Sequence, residues 1–282
     1  MRSQTLPKSN RGIRTIRILP MEQFLSTPFH EPRWFLQLTA ILFVAIFLRY
    51  LLVSGAYHYV FFVKLRKRLG QRILNPSPRQ RAQLWMEIRR SALTSIIFAV
   101  AGTGMVVLWQ RGYTTIYTEW SDYPWWWVPL SAVIALFLHE TYYYWLHRWM
   151  HRPKIYRLVH KWHHDSIETS SLTAFSFHPI ESILQAIVVP VLVLFLPMHI
   201  YVVLFLLILM TISATINHGS VELYPQHSER NWLGKWFIGA THHDLHHKKF
   251  LTNYGLYFTF WDRWMRTESE DYERIFREKT GE

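Results

Sequence analysis

The sequence has 282 residues, of which 50% are hydrophobic and 17% aromatic, and 31 basic against 19 acidic side chains give a net charge of +12. This apolar content excludes a disordered chain and argues against an ordinary water-soluble globule. The absence of cysteine excludes disulfides, iron–sulfur clusters, cysteine-ligated zinc and thiol nucleophiles, so any bound metal has nitrogen and oxygen ligands. The basic residues flank long apolar runs, a distribution that favours a membrane protein and not a partner of nucleic acid.

The first apolar run, residues 34–63, follows a basic N-terminal segment, residues 1–33, that lacks the features of a signal peptide. About 20 apolar residues suffice to cross a bilayer, so this run predicts the first membrane helix. Residues 64–91 carry nine basic side chains and one acid, Glu87, which predicts a cytosolic loop. A single crossing then puts the basic N-terminus outside, against the positive-inside tendency, unless residues 34–63 form a re-entrant pair. Both alternatives remain open at this point.

Three further apolar runs predict the rest of a membrane anchor. Residues 92–109 form the second candidate, and a third helix runs from about residue 124 to 147, becoming rich in histidine and tyrosine in its second half. Pro197 divides the apolar block 179–216 into the two helices of a hairpin, which returns the chain to its starting side. The sequence therefore predicts an all-α protein with about four transmembrane helices.

The histidines are strongly clustered, since 14 of the 16 lie between residues 139 and 247. His147 and His151 are four residues apart, which places both rings on one face of a helix. The spacing HxxHH occurs twice and gives two fans of three rings. The first fan is His160, His163 and His164, and the second is His243, His246 and His247. Eight imidazoles exceed the needs of one metal ion, so the pattern predicts two metals.

Other interpretations apply to single histidines. His30, His58, His199 and His227 are isolated, and a structural role is the better interpretation for each. The zinc-hydrolase motif HExxH fails at residues 139–143, because a tyrosine stands where the second histidine is required. Thiolate-free imidazole sites suit iron, copper or zinc. Of these, a pair of irons could activate dioxygen to attack the unreactive C–H bonds of a lipid.

Five segments together resemble the membrane fatty acid hydroxylase and sterol desaturase superfamily, most closely its sterol C5-desaturase and C4-methyl sterol oxidase branches. They are residues 139–151, 160–164, 174–181, 217–219 and 241–267. The resemblance implies a four-helix membrane anchor capped by a cytosolic helical domain that holds two irons and receives electrons from a separate redox protein. The expected metal ligands are His147, His151, His160, His163, His164, His218, His243, His246 and His247.

Four more residues belong to the expected site. Glu222 follows His218 by one helical turn and is a possible ligand. His242 and His178 are expected beside the ligands, with His178 preceding Pro179 at a helix start. Glu140 stands where many relatives have aspartate. Because glutamate keeps the negative charge, Glu140 is still expected to lie beside the metal ligands and support them.

We therefore predict membrane helices over residues 34–146 and a di-iron catalytic domain over residues 147–282 that includes the membrane hairpin 179–216. The predicted function is oxygen-dependent desaturation or hydroxylation of a sterol or fatty-acyl lipid. The electron donor is expected to be of the cytochrome b5 or ferredoxin type, and the catalytic face cytosolic. The alternatives are a membrane zinc hydrolase, which needs one tight site, and a metal transporter, which needs ligands at bilayer depth.

Overall fold

The structure, a computed structural model, describes residue 24, residues 26–77 and residues 79–281, and these are mostly helical. Most of the predicted basic segment 1–33 lies outside the described residues. In chain order the α-helices are α1 (Pro32–His58), α2 (Arg66–Leu69), α3 (Arg81–Gln110), α4 (Trp127–Met150), α5 (Pro153–Ile155), α6 (Lys161–His164), α7 (Pro179–Ala186), α8 (Val188–Phe195), α9 (Ile200–His218), α10 (Ala240–Lys249), α11 (Phe260–Trp264) and α12 (Tyr272–Thr280). The prediction of an all-α membrane fold is confirmed.

Shorter elements join these helices. They are the π-helical turns Tyr59–Lys64 and Tyr156–His160, the 3-10 turns Gly70–Arg72, Ser171–Phe175 and Gly234–Trp236, and the strands β1 (Ile116–Tyr117) and β2 (Met198–His199). The strands pair in parallel, with Ile116 opposite Met198. Trp127 donates its indole N–H to the carbonyl of Pro197 at 2.9 Å, which fixes the turn between α8 and α9. Pro197 therefore divides the second apolar block as predicted.

Among the residues that the structure describes, three helices are long and apolar enough to cross a membrane: α1 with its π-helical extension, α3 and α9. Leu36 and Leu52 on α1 are 68% and 70% exposed, which is the outward apolar surface that lipid would cover. The shorter apolar pair α7 and α8 spans Pro179–Phe195. By length and composition the described residues thus contain three candidate spans and one shorter apolar pair, in keeping with the predicted anchor of about four helices.

The first apolar run is one continuous helix from Pro32 to Lys64. The structure therefore excludes the re-entrant pair. Gln110, at the end of α3, donates to the carbonyl of Thr27 at 2.7 Å, so residues before α1 lie at the opposite end of the bundle from the loop between α1 and α3. A single helix over residues 34–63, and not a pair of helices, is therefore the arrangement observed.

The loop between α1 and α3 packs against the histidine-rich segments. The side-chain N–H of Asn75 donates to Asp244 on α10 at 2.7 Å, and the backbone N–H of Leu74 donates to the carbonyl of Ser220 at 2.9 Å. The basic loop and the histidines consequently occupy the same end of the molecule.

A buried acid holds the segment that follows the first HxxHH sequence. Glu87, near the start of α3, is fully buried. It accepts hydrogen bonds from three hydroxyl groups, those of Ser166 and Ser170 at 2.7 Å each and of Thr173 at 2.9 Å. Because α3 is a rigid span, these bonds fix the backbone on the C-terminal side of His163 and His164.

Candidate metal centre

The structure brings all nine predicted ligand histidines together in two adjacent groups. In each group, the potential ligand atoms lie within 4.8 Å of one another. All nine side chains are buried. The first group contains His147, His151, His160, His164 and His246, and the second contains His163, His218, His243 and His247.

Five elements deliver these side chains to one end of the bundle. His147 lies in the last turn of α4 and His151 directly after it, and His218 is the last residue of α9. The first fan spans a π-helical turn and α6, and the second lies on α10. Since α4 and α9 both end here, the anchor positions three of the nine histidines and the polar segments supply six.

Each HxxHH sequence contributes to both groups. In the first fan, His160 and His164 belong to the group of five and His163 to the group of four. In the second fan the assignment is reversed, because His243 and His247 join the group of four and His246 joins the group of five. Residues i and i+4 lie on one face of a helix and residue i+3 is displaced around it, so each fan reaches two neighbouring centres. This shared use of both fans explains why the spacing is repeated.

The hydrogen bonds at the outer ring nitrogens determine which nitrogens face inward. The Nδ1–H groups of His147, His246 and His218 donate to the backbone carbonyls of Tyr254, Thr252 and Ala214 at 2.7–2.8 Å. A neutral ring that donates from Nδ1 carries a lone pair on Nε2. His147 and His246 therefore direct two lone pairs into the group of five with no proton to share between them, and a cation bound there would satisfy both.

The spacing of the inward nitrogens also fits a metal ion. Neighbouring Nε2 atoms are 3.1–3.2 Å apart in the group of five and 2.9–3.1 Å apart in the group of four. Two ligands at a right angle around an ion with metal–nitrogen bonds of about 2.1 Å lie about 3 Å apart. Burial lowers the pKa of His164, His243 and His247 well below the ordinary value, and neighbouring imidazoles lower it further. The rings are thus neutral, as metal binding requires.

The loop 252–257 supplies two of those carbonyls and is itself held by two buried acids. Asp262 accepts the N–H groups of Tyr254 and Gly255 at 2.8 and 2.9 Å, and Glu140 on α4 accepts those of Leu256 and Tyr257 at 3.0 and 2.7 Å. A side chain at Gly255 would meet the carbonyl of Phe258 at 2.6 Å, so only glycine fits between these carboxylates. The loop is therefore a rigid support for the ligand rings.

Comparison with known proteins shows which family this chain resembles. Residues 132–267 match the model of the family described as fatty acid hydroxylase. These residues resemble a fatty acid hydroxylase domain. The superfamily resemblance predicted from the histidine segments is confirmed, and all nine clustered histidines lie inside the domain.

Several curated relatives match part of the chain. It is 33% identical over 154 residues to a Delta(7)-sterol 5(6)-desaturase, ERG3B, of Gibberella zeae, covering 55% of this chain and 46% of that protein. It is 32% identical over 167 residues to lathosterol oxidase of Mus musculus, covering 58% and 54%. It is 30% identical over 162 residues to methylsterol monooxygenase 1 of Gallus gallus, covering 56% and 53%. The chain spans about half the length of these relatives. No solved structure matches it.

Glu140 of the hydroxylase domain lies away from both histidine groups and accepts the two backbone N–H groups of the loop. We expect Glu140→Ala to lower the free energy of unfolding by about 2 kcal/mol or more, because it leaves two buried N–H groups without an acceptor. Thermal unfolding in detergent measures this loss. The exposed Glu270 provides the control, and Glu270→Ala should leave stability unchanged. Equal unfolding temperatures for both variants would contradict this role of Glu140.

The other three residues expected beside the metal have different partners. Glu222 accepts the N–H groups of Tyr224 and Thr241 at 2.9 and 3.0 Å and belongs to neither histidine group. His178 caps α7, where its Nδ1 accepts the N–H of Ile180 at 3.3 Å, and its ring contacts Trp162. The predicted helix start is therefore observed, and the His178 ring belongs to neither group of the nine clustered histidines. His242 points out of the centre towards Asp262 and Glu268.

His242 lies beside two acids, Asp262 and Glu268. Its Nε2 lies 3.9 Å from Asp262 and 3.9 Å from Glu268. Burial lowers the pKa of His242 to about 3 and raises that of Asp262 to about 6. Burial likewise raises the pKa of Glu268 to about 7, although Arg263, 3.1 Å away, opposes the shift.

The raised pKa of Glu268 predicts that the stability of the folded protein falls as pH rises. Its value in the folded state, about 7, exceeds the ordinary 4.5, so the folded state binds the proton more tightly. The stability that this proton contributes is present below pH 4.5 and is lost as pH rises through 7. We expect the unfolding temperature of Glu268→Gln, relative to the wild type, to rise between pH 4.5 and pH 8. A difference that stays constant or falls with pH would contradict the prediction.

Sequence reasoning missed several functional side chains. Glu181 accepts the Nδ1–H of His160 at 2.9 Å and is fully buried. Asp262 holds the loop 252–257, and Glu87 holds the segment that follows His164. All three share one sequence signal, which is an acidic residue in or beside an otherwise apolar or basic stretch. Such an acid predicts hydrogen-bond or ion-pair partners, because a buried charge without them is costly.

The histidines given a structural interpretation lie outside both groups. His199 is buried, accepts the N–H of Tyr201 at 3.2 Å at the start of α9 and contacts the carbonyl of Thr118 at 3.0 Å. His30 and His58 are exposed. His139 is buried and lies 3.0 Å from the hydroxyl of Tyr257, outside both groups of ligand atoms.

Proposed function

We propose that this chain is a membrane-bound, oxygen-dependent lipid oxidase that holds two irons, one in each histidine group. The observation that carries the proposal is the convergence of nine buried imidazoles with lone pairs directed inward. Bound irons would supply the activation of dioxygen needed to attack an unactivated C–H bond. The nine histidines are the proposed ligands, with Glu181 holding His160 and the loop 252–257 holding His147 and His246.

The proposed substrate is a sterol or a fatty-acyl lipid. The relatives named above are a sterol desaturase, a lathosterol oxidase and a methylsterol monooxygenase, which supports this class. A cavity of about 270 Å³ lies between α4, α9 and the loop 252–258, and Asn217 in its wall precedes the ligand His218. Its other walls are mainly apolar, including Leu136 and Leu209. These side chains would exclude water and orient an apolar carbon towards the centre.

The proposed catalytic face is cytosolic. The nine basic residues of the loop 64–91 favour the cytosolic side, and this loop packs against the histidine-bearing segments through Asn75 and Leu74. Electrons would arrive there from an external carrier of the cytochrome b5 or ferredoxin type.

Two observations weigh against the alternatives. A zinc hydrolase needs one site of three or four ligands, whereas nine imidazoles are arranged here in two groups. A metal transporter needs ligands at bilayer depth, whereas these lie at the ends of α4 and α9 and in the polar segments beyond them.

Expression in a host with a defined lipid pool, followed by mass spectrometry of the lipids, tests the proposal. A product lighter by about two mass units indicates desaturation, and one heavier by about sixteen indicates hydroxylation. Metal analysis of the purified protein should give two irons per chain. Unchanged lipids in aerobic cells that supply the carrier, or a single zinc with activity that persists without oxygen, would refute it.

A further inference from the structure

The segment 147–161 carries five basic residues and no acid between the first and last of them. Three of the five, Arg152, Lys154 and Arg157, are exposed and have no ion-pair partner among the residues that the structure describes. Beside them Leu158 is 67% exposed. We call these four residues the basic ridge. A surface that combines unpaired cations with a protruding apolar side chain is suited to an acidic protein partner.

The basic ridge lies directly over the group of five histidines. His151 and His160, on either side of it in the sequence, both belong to that group. Tyr156 is half-buried under the ridge, and its ring centre is 5.7 Å from those of His151 and His164. Phe250 lies 5.9 Å from Tyr156 and 4.9 Å from His164. A single layer of aromatic rings thus separates the exposed ridge from the ligand imidazoles.

The chemistry of the proposed function requires electrons from outside. Hydroxylation of a C–H bond by dioxygen forms one alcohol and one water and consumes two electrons and two protons. Desaturation forms one double bond and two waters and consumes the same number of electrons and protons. With no cysteine in the chain, iron–sulfur storage of these electrons is excluded. An external one-electron carrier must therefore approach the centre twice in each turnover.

We propose that the basic ridge is the docking surface for an acidic one-electron carrier protein, which reduces the centre through the layer formed by Tyr156 and Phe250. The inference rests on the proposed function for its electron requirement. Leu158 would pack against the carrier, and the three cations would steer its acidic face and set its orientation.

The test is a charge reversal with a matched control. Arg152→Glu, Lys154→Glu and Arg157→Glu are combined in one variant of the full chain, reconstituted in neutral phosphatidylcholine vesicles and, separately, in vesicles that contain anionic lipid. The control combines Lys64→Glu, Lys67→Glu and Arg68→Glu, which are exposed, lie at the same end of the molecule and change the net charge equally. The probes are the soluble domain of cytochrome b5 and a ferredoxin. Their Kd is measured as a function of salt, and the rate of carrier oxidation gives KM and kcat.

We expect the ridge variant to bind a carrier about tenfold or more weakly than the wild type, with a flatter salt dependence. Its KM for the carrier should rise by a similar factor with little change in kcat, and its metal content should be unchanged. The control should change Kd less than about twofold.

Three results would overturn the proposal: no binding of either carrier to the wild type, equal weakening in both variants, or a ridge effect that appears only in vesicles with anionic lipid. The last would make the ridge a lipid contact. Failure of the proposed function is a separate outcome, since binding is measured without turnover. In that case the carrier docks at the ridge, but the chemically reduced wild type oxidises no lipid.

Discussion

His164→Ala and His247→Ala are each expected to abolish lipid oxidation, because each removes an imidazole from a different histidine group. His247 belongs to the group of four, which is left with three rings, so its replacement should release close to one metal ion per chain. His164 belongs to the group of five, which keeps four rings and should therefore retain more metal. Metal analysis and lipid oxidation, measured on the same preparations, check both expectations.

His199→Ala is the matched control, since His199 is also a fully buried histidine but lies outside both groups. It caps α9, so its loss should cost about 1 kcal/mol of stability and leave the metal content unchanged. Full metal content and activity in both ligand variants would show that the two groups are not the metal centre. Equal metal loss in all three variants would point to general unfolding instead.

Glu181→Ala is expected to weaken metal binding by about 10–100-fold, the usual effect of removing the hydrogen-bond partner of a ligating histidine. Glu181 is fully buried and accepts the Nδ1–H of His160 at 2.9 Å. Without this acceptor the ring is free to rotate, and its inward nitrogen is less basic. Competition with a chelator measures the change in affinity.

Two variants define the cause of that loss. Gln185 donates to the same carboxylate oxygen at 3.2 Å and does not touch a ligand, so Gln185→Ala should retain metal affinity within about twofold. Glu181→Gln keeps an oxygen acceptor and should fall between the wild type and the alanine variant. If Glu181→Ala binds metal as tightly as the wild type, the carboxylate does not orient His160.

Much of the anchor could be predicted because membrane helices are encoded locally. Apolar runs of the required length identified α1, α3 and α9, and Pro197 identified the turn before α9. Hydropathy alone did not reveal that the long apolar block after residue 179 begins with two short helices. The choice between a single crossing and a re-entrant pair required the continuous helix Pro32–Lys64.

The supporting residues were harder to predict than the ligands. Glu181 is 21 residues from His160, and Glu140 is 116 residues from the backbone N–H of Leu256. No local period connects such positions, because the contacts arise only when α4, α7 and the loop 252–257 pack together. Glu222 and His178 were expected beside the metal from their sequence neighbours, but their side chains bind other backbone groups.

The sequence by itself determined the types of ligand and their local spacing, since i, i+3 and i+4 offsets follow from helix geometry alone. It also determined the membrane anchor and the lack of thiolates. Only the tertiary structure decided how the nine rings divide between two groups, with each HxxHH fan contributing to both. The physical reason is that a lone pair becomes a ligand only where rings from distant segments converge, and that convergence depends on packing between helices that are far apart in the chain.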